Sequence, residues 1–511
     1  MVPFGSRGSD AVAGAFARQI ARRIVERLAD ESAIDLRPVF LVSVPEESDR
    51  EGYVVIGSTP DPALAAGYGA SLGCSHTLVG TLRDGADRAL DLSLVEVDTR
   101  EPTGAASLPI APGELHLIEP AVAAWLGQTL GLELAASATP AAATEAAYAA
   151  LLLGMESELN AVLLASGSAD AARAAKLDAL ERYTDCVNQD PSCEAAEQRL
   201  LVMSAESLGS GLERDHAAAL ETLSEVRVRS WKAHYLLGEL RRSTGDSSGA
   251  VVALEHADAL HPLGPADSIR LAELYIESGA ERSAAARLRR VQRALGDDAS
   301  PDTRLLLAHA LIGIGRRDDA LGELERIIAT GPAGAEATKA RRLRLGLQQP
   351  ELEAALAEGG RLALEGPIGS LESAVLGFER VLAADPELWE AHFGLGLAAR
   401  RRGDLTSAER AFRRTLELWP GHPDATHELG VALLTGGSLD EAVRALEEAA
   451  VLRPDDAGYL ADAGFAHLRA GRLAEARERL DRAAQLGPAD PITRAYLTEL
   501  ERVEVQIGRG S

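Results

Sequence analysis

Residues 389–420 read WEAHFGLGLAARRRGDLTSAERAFRRTLELWP, and residues 423–454 follow the same plan as PDATHELGVALLTGGSLDEAVRALEEAAVLRP. In each stretch a Leu-Gly pair, Leu395-Gly396 or Leu429-Gly430, is followed by a second glycine seven positions after the first. A proline closes each stretch, and a proline cannot continue a helix. This arrangement predicts two amphipathic helices joined by a tight turn, repeated with a period of 34 residues.

The period extends over most of the chain. Earlier units start near Trp231, Pro265 and Pro301. Near the end of the chain three residue types recur in register, 34 residues apart, at Pro386, Pro420, Pro454 and Pro488, at Gly369, Gly403, Gly437 and Gly471, and at Ala374, Ala408, Ala442 and Ala476. Four prolines alone could recur by chance, but three columns in register could not. The sequence therefore predicts a helical repeat array.

Each residue type has a physical task in such a unit. The small residue of the first helix allows the second helix to approach closely, and the turn glycine takes the left-handed conformation that ends a helix. The second helix buries an alanine and, four positions later, a large apolar residue such as Phe412 or Leu446. These features predict that the apolar faces of the two helices pack against each other.

The pattern resembles the tetratricopeptide repeat, and the resemblance implies a mostly α fold, an α-α superhelical solenoid. We predict degenerate helical repeats over residues 139–230, a tetratricopeptide array over 231–490 and a capping helix over 491–506. The register slips over 335–365, where Gly359-Gly360 and Gly366-Pro367 are expected to interrupt a first helix.

Residues 1–138 do not repeat and predict a small α/β domain before the solenoid. Apolar residues recur every four positions from Val12 to Leu28, as on one face of a helix. Residues 36–44 form a β-branched and aromatic run that predicts a strand. Residues 83–88 contain an Asp-Gly pair between two apolar runs and predict a hairpin.

Residues 73–82 read GCSHTLVGTL, residues 92–98 read LSLVEVD, and Pro3-Phe4 precedes them near the N-terminus. These segments resemble the TolB N-terminal-like, or FlgO-like, domain. Relatives joined to such repeats often follow bacterial kinase or cyclase domains, which gives an alternative role in signalling. The 511 residues hold no kinase signature, nucleophile elbow or zinc-protease motif, so no enzyme activity or cofactor is predicted.

Composition narrows the choice of partners. The formal charge of −26 disfavours nucleic acid and anionic membrane surfaces. The N-terminus lacks the basic and apolar segments of a signal peptide, and no apolar run is long enough to span a bilayer without charges. We therefore expect a cytoplasmic protein without membrane insertion. Cys186 and Cys193 flank the Asp190-Pro191 turn, and both a disulfide and two buried free thiols are compatible with that spacing.

Two further motifs were considered as ligand sites. Residues 5–9, GSRGS, precede a helix and could cradle a phosphate, but they lack the lysine and spacing of a phosphate-binding loop, so an ordinary helix-capping loop is favoured. His422 and His427 lack a further ligand in suitable spacing, so no metal site is predicted.

The resemblance implies that first-helix residues line a concave groove. In the last three units these positions include Glu390 and Asp424, and the predicted protein-binding groove consists of Phe393, Leu397, Arg400, Arg401, His427, Val431, Leu434, Phe465, Leu468 and Arg469. Apolar side chains at exposed positions indicate a partner surface. The alternative is that the superhelix buries these residues against itself.

The sequence thus predicts a non-enzymatic scaffold that binds a protein or peptide segment with apolar anchors, and acidic flanks of that segment would pair with the arginines. The earlier first helices carry Leu305 and His309 where chaperone-binding repeats carry a carboxylate clamp, so a chaperone tail is not expected. The alternatives are the sensory or substrate-recruiting part of a signalling protein, and an envelope assembly factor.

Overall fold

The computed structural model describes residues 4–7, 11–29, 41–43, 53–55, 62–134, 139–331 and 334–510. The chain divides into two compact units, Met1–Gly264 and Pro265–Ser511. The first unit contains the strands and the early helices, and the second consists of helices in the described residues. The fold class expected from the sequence, a helical repeat array preceded by a small sheet, is confirmed.

The first unit begins with a four-stranded sheet in the order β1-β4-β5-β6, and β2 and β3 form a separate antiparallel pair. β1 pairs in parallel with β4, and the other neighbours in the larger sheet are antiparallel. The strands are β1 Gly5–Arg7, β2 Leu41–Ser43, β3 Tyr53–Val55, β4 His76–Arg83, β5 Ala89–Glu96 and β6 Pro102–Pro109.

The predicted hairpin joins β4 to β5, with Gly85 at a φ of 109° in its turn. The sequence did not predict β6, whose residues are alternately exposed and half-buried and lack large apolar side chains. Of the strand predicted over 36–44, β2 is present and the remainder lies outside the described residues. Gly5–Arg7 of the candidate phosphate loop form β1, and Gly8 and Ser9 also lie outside them.

Nine helices of the first unit lie in its described part. They are α1 Ala11–Leu28, α2 Pro62–Ser71, α3 Ile118–Leu130, α4 Glu145–Leu164, α5 Ala169–Gln189, α6 Glu194–Glu206, α7 Glu213–Val226, α8 Trp231–Ser243 and α9 Ser247–Leu260. The apolar stripe predicted for α1 is buried at Ile20, Ile24 and Leu28, whereas Val12 at its start is exposed.

One hydrophobic core runs from the sheet and α1 through α3 into α4–α8. Beside it, the fully buried carboxylate of Glu119 receives hydrogen bonds from Arg23 at 3.1 Å, Arg27 at 3.4 Å and the hydroxyl of Tyr148 at 2.9 Å. Burial and the charge of Glu119 raise the pKa of Tyr148 well above its usual value, so the hydroxyl stays a donor. This buried, fully paired group ties α1 and α3 to α4.

Among the described residues, α4 is the one helix long and apolar enough to cross a membrane. Tyr148, Leu151 and Met155 of this helix are fully buried, and α4 packs along α5. The hydrophobic composition of α4 is therefore accounted for by its place in the core of the first unit.

The turn between α5 and α6 brings Cys186 and Cys193 together, as the sequence suggested, and both are buried free thiols. A hydrogen bond between the two sulfurs, together with burial, raises the pKa of Cys186, and the same hydrogen bond lowers the pKa of Cys193. Of the two arrangements that the sequence left open, the structure contains the free thiols.

The second unit contains fourteen α-helices in its described part. They are α10 Pro265–Glu277, α11 Glu281–Leu295, α12 Pro301–Gly313, α13 Arg317–Thr330, α14 Ala335–Gln348, α15 Pro350–Glu365, α16 Leu371–Ala384, α17 Trp389–Arg401, α18 Leu405–Leu418, α19 Pro423–Gly436, α20 Leu439–Leu452, α21 Ala457–Arg469, α22 Leu473–Leu486 and α23 Pro491–Gly510. The last of these, predicted as a cap over 491–506, packs on α21 and α22 and buries Leu500.

Small residues set the distance between paired helices. A Cβ atom added at Gly396 would lie 2.5 Å from the ring of Phe412, and one added at Gly430 would lie 2.6 Å from Leu446. Real Cβ atoms do not approach this closely, so the large side chain of the second helix fills space that only glycine leaves open. The pairing of small and large residues read from the sequence is thus the contact that forms each repeat.

The register slip expected over 335–365 corresponds to an additional helix, and Gly366-Pro367 do follow the end of a helix, but the break expected at Gly359-Gly360 is wrong. This region forms two complete helices, α14 and α15, and Gly359-Gly360 lies inside α15. α15 pairs with α16 as a first helix pairs with its second, and Phe378 of α16 fills the space beside Gly359. Gly359 therefore has the same packing role as Gly396. Helix α14 is an additional helix between two regular pairs.

The two adjacent glycines of α15 provide a direct test of this packing. We expect Gly360→Ala to raise the free energy of unfolding by about 1 kcal/mol, because alanine favours helix and nothing lies within 4 Å of the added Cβ. Gly359→Ala should instead lower it by about 1–2 kcal/mol, because the methyl group would lie 2.9 Å from the fully buried ring of Phe378. Urea unfolding followed by circular dichroism measures both variants, and equal stabilisation by the two would contradict the packing.

Candidate protein-binding site

The apolar members of the predicted groove lie on successive first helices, α17, α19 and α21. Leu397, Leu434 and Leu468 are only 5–8% exposed. Phe393 and Val431 are half-buried, and Phe393 stacks on His422 and packs against Phe412. The three leucines therefore belong to the core of the second unit, in line with the alternative that the repeats bury these positions against themselves.

The predicted groove arginines also have partners within the chain. Arg400 forms an ion pair with Glu428 at 2.7 Å. Arg401 donates to the carbonyl oxygens of Leu362, Ala363 and Gly366 at 2.6–3.1 Å, and so satisfies the C-terminal end of α15. Both side chains hold neighbouring helices together.

The predicted groove residues of the last two repeats also have partners within the chain. His427 lies 2.8 Å from the carboxylate of Asp462 and stacks on Tyr459. The ring of Phe465 stacks on Tyr496 at 4.2 Å, and Arg469 lies over Phe465 at 5.9 Å. The structure therefore brings the predicted residues together as a self-paired face of α17, α19, α21 and α23, and their role in partner binding stays a prediction.

An open cavity lies on the first-helix side of the preceding units. It has a volume of about 560 Å³ and is lined by α12, α14, the start of α15, the start of α17 and Trp419 at the end of α18. We call it the α14 cavity. Its lining consists of Leu305, His309, Ile312, Ala335, Thr338, Lys339, Arg342, Leu343, Gly346, Leu347, Pro350, Glu353, Trp389, Glu390 and Trp419.

The additional helix α14 forms one wall of the cavity. Its buried Arg341 lies 3.6 Å from Asp385, and Arg344 forms a closer ion pair with Asp385 at 2.7 Å. Asp385 is itself buried and follows α16, and Arg341 also pairs with the neighbouring Glu387. These ion pairs hold α14 against the loop that leads into α17, and so fix the two walls of the cavity relative to each other.

Aromatic side chains form the end of the cavity next to α17. The indole rings of Trp389 and Trp419 meet edge to face at 4.8 Å, and His422 lies 4.5–4.6 Å from both. His422 is buried and accepts a hydrogen bond from the backbone N–H of Ala425, which caps α19. The His422 ring therefore has a structural role at the start of α19.

Two buried polar atoms at this end have no hydrogen-bond partner within the described residues: the indole Nε1 of Trp389 and the Oε2 atom of Glu390. Burial, as the largest effect, raises the pKa of Glu390 to about 7, and a contact with its own backbone N–H and the charge of Arg342 only partly oppose this. Both atoms belong to residues that line the cavity, so this end of the lining contains a buried donor and a buried acceptor without partners among the described residues.

Basic side chains stand at the rim of the cavity. Lys339 and Arg342 of α14 are exposed, and Arg342 pairs with Glu353 at 3.3 Å. Loss of hydration and the nearby charge of Lys339 lower the pKa of His309, so this ring is neutral at pH 7. The cavity lining thus combines apolar side chains, the half-buried carboxyl group of Glu390 and the exposed cations of Lys339 and Arg342.

The sequence contained only part of this site. Glu390, Leu305 and His309 stand at first-helix positions that the repeat pattern marks as groove positions. Trp389 and Trp419 are two of only four tryptophans in the chain, a signal that the groove prediction did not use. The wall formed by α14 was missed, because the region was expected to be irregular.

Comparison with known families agrees with the repeat geometry. Residues 368–423 match one model of the tetratricopeptide repeat, and residues 399–463 match a second. The chain therefore carries tetratricopeptide repeats over 368–463, in the part that forms α16–α21. Neither match reaches residues 1–138, so the TolB-like resemblance of that region is not supported.

A search of solved structures found two similar chains that each cover less than half of this one. The tetratricopeptide protein YrrB, described as having an unusual peptide-binding site, is 19% identical, with 40% of this chain and 97% of that chain covered and a TM-score of 0.27. PilW, a type IV pilus biogenesis factor, is 18% identical, with 46% and 98% covered and a TM-score of 0.27. Likeness at this level carries no information on the ligand of this chain. No curated protein sequence matches the chain.

The raised pKa of Glu390 predicts a specific dependence of stability on pH. The folded chain retains a proton that the unfolded chain releases between about pH 4.5 and 7, so ionisation at higher pH destabilises the fold by up to about 3 kcal/mol. Glutamine carries no such proton. Glu390→Gln should therefore be more stable than the wild type at pH 8, and this advantage should shrink at pH 5.5.

Urea unfolding at the two pH values measures the effect, with Glu351→Gln as the control. Glu351 is exposed on α15 and does not line the cavity, so its substitution removes the same charge without the same burial. An advantage of Glu390→Gln that is equal at pH 5.5 and pH 8 would show that Glu390 is not buried in this way.

Proposed function

We propose that this chain is a non-enzymatic scaffold that binds a segment of another protein in the α14 cavity. The observation that carries the proposal is the cavity itself, a preformed hollow between first helices with apolar walls and unsatisfied polar atoms at one end. Its volume of about 560 Å³ falls within the range of ligand sites and would hold several side chains of an extended or helical segment.

The walls supply the anchoring surface. Leu343 and Leu347 of α14 face the cavity from one side, and Leu305 and Ile312 of α12 line it from another. Apolar side chains inserted between such walls, with polar contacts at the rim, have the arrangement that concentrates binding energy in protein interfaces. The exposed Lys339 supports the expectation that the partner has acidic residues beside its apolar anchors.

A scaffold role also fits the class of repeat. Tetratricopeptide repeats in general are interaction modules rather than catalysts, and helix-pair arrays present extended surfaces for partners. A cytoplasmic location forms part of the proposal, as expected from the sequence. A role in bacterial signalling or in envelope assembly would use the same cavity with a different partner.

Substitution of a cavity wall tests the proposal. A library of random twelve-residue peptides displayed on phage is selected on the full chain, and the peptides recovered are measured by fluorescence anisotropy. We expect Leu343→Asp to weaken binding by at least about tenfold, because a charge replaces an apolar wall. Leu376→Asp is the matched control, since Leu376 is 56% exposed on α16 and lies outside the cavity.

Circular dichroism establishes that both variants are folded before binding is compared. Equal binding by the wild type, Leu343→Asp and Leu376→Asp would place the peptides elsewhere and contradict the proposal. Failure of the library to yield any peptide that depends on Leu343 would contradict it as well.

A further inference from the structure

Resting on the proposed function, we propose that the partner segment inserts a basic side chain, arginine or lysine, into the α14 cavity, where it pairs with Glu390 beside the rings of Trp389 and Trp419. The inference identifies the chemistry of the anchor, which the apolar walls alone do not specify.

The state of Glu390 differs from that of the acid at the same repeat position one unit later. That residue is Asp424, 34 positions further on, and its carboxylate accepts a hydrogen bond from Tyr459 at 2.5 Å and lies 3.2 Å from Arg453. Glu390 lines a cavity, its Oε2 atom is buried without a partner in the described residues, and no ion pair to it is present there. The repeat thus supplies a partner for one acid and leaves a cavity beside the other.

A cation is the ligand that this carboxyl group requires. Burial of a carboxylate without a counter-charge is unfavourable, and a guanidinium or ammonium group restores the hydrogen bonds and the charge balance that water would provide. The upward shift of the pKa of Glu390 to about 7 reflects the same missing partner. Rotation about the last side-chain bond exchanges the two carboxylate oxygens, so the buried oxygen is not fixed away from the cavity.

The surroundings suit the rest of a basic side chain. Trp389 and Trp419 present aromatic rings, which attract cations, at the end where Glu390 lies. Leu305 and Ile312 can cover the aliphatic stem of an arginine or a lysine.

The charged residues around the cavity indicate where a basic side chain of the partner segment would bind. Arg342 is already paired with Glu353, and Lys339 is exposed to solvent, whereas Glu390 is half-buried. Acidic residues beside the basic anchor would contact these rim cations. At long range the net charge of −26 attracts positively charged segments. Charge complementarity therefore favours a basic anchor over an anionic one at Glu390.

A double-mutant cycle between peptide and protein tests the inference. The probes are the library peptides whose binding depends on Leu343, each also synthesised with its basic residue replaced by glutamine. On the wild type this replacement should weaken binding by about tenfold or more, whereas on Glu390→Gln it should change binding by less than about twofold. Glu351→Gln is the charge-matched control and should retain the full tenfold loss.

The possible results separate this inference from the proposed function. Peptides that depend on Leu343 but carry no arginine or lysine would overturn the basic anchor and leave the scaffold proposal standing. A basic residue whose replacement has the same effect on the wild type and on Glu390→Gln would place it away from Glu390 and also overturn the anchor. A library without any Leu343-dependent peptide contradicts both, and Glu390→Asp, which keeps the charge, should keep the preference for a basic residue.

Discussion

The close approach of a small residue on one helix to a large side chain on its partner is the constraint on which the repeats depend. Gly396 faces Phe412, Gly430 faces Leu446, and in each case an added methyl group would overlap the large residue. Because each second helix also packs on the next first helix, these local contacts propagate along the array. In such a solenoid each helix packs mainly on its neighbours along the chain, so a 34-residue period is sufficient to predict the architecture.

The candidate site arises where this regular pairing is interrupted. The additional helix α14 does not share the close pairing of its neighbours, and the buried ion pairs of Arg341 and Arg344 with Asp385 hold it in place instead. In the last repeats, ion pairs such as Arg400–Glu428 and stacked rings join the facing sides of successive helices. The proposed binding site thus lies in the irregular part of the array.

The repeats could be predicted from the sequence because their determinants are local. The α15 helix could not, since glycine pairs such as Gly359-Gly360 indicate a break by local preference, and the tertiary contacts that favour a helix there, such as the ring of Phe378 beside Gly359, lie on another helix. The unpaired state of Glu390 was also not predictable from the sequence. Asp424 occupies the same repeat position and contacts Tyr459 and Arg453, whereas the Oε2 atom of Glu390 has no partner among the described residues. Whether a residue distant in sequence pairs with a given acid depends on tertiary packing, which the local sequence pattern does not specify.

The central claim is that partner segments occupy the α14 cavity rather than the face of α17, α19 and α21 that the repeat pattern favoured. Hydrogen–deuterium exchange of the full chain, with and without a peptide selected on it, tests this claim most directly, because backbone amides of the contacted helices exchange more slowly when covered. We expect slower exchange in α12, α14 and the first turn of α17, with α19 and α21 unchanged. Slower exchange along α19 and α21, with α14 unchanged, would contradict it.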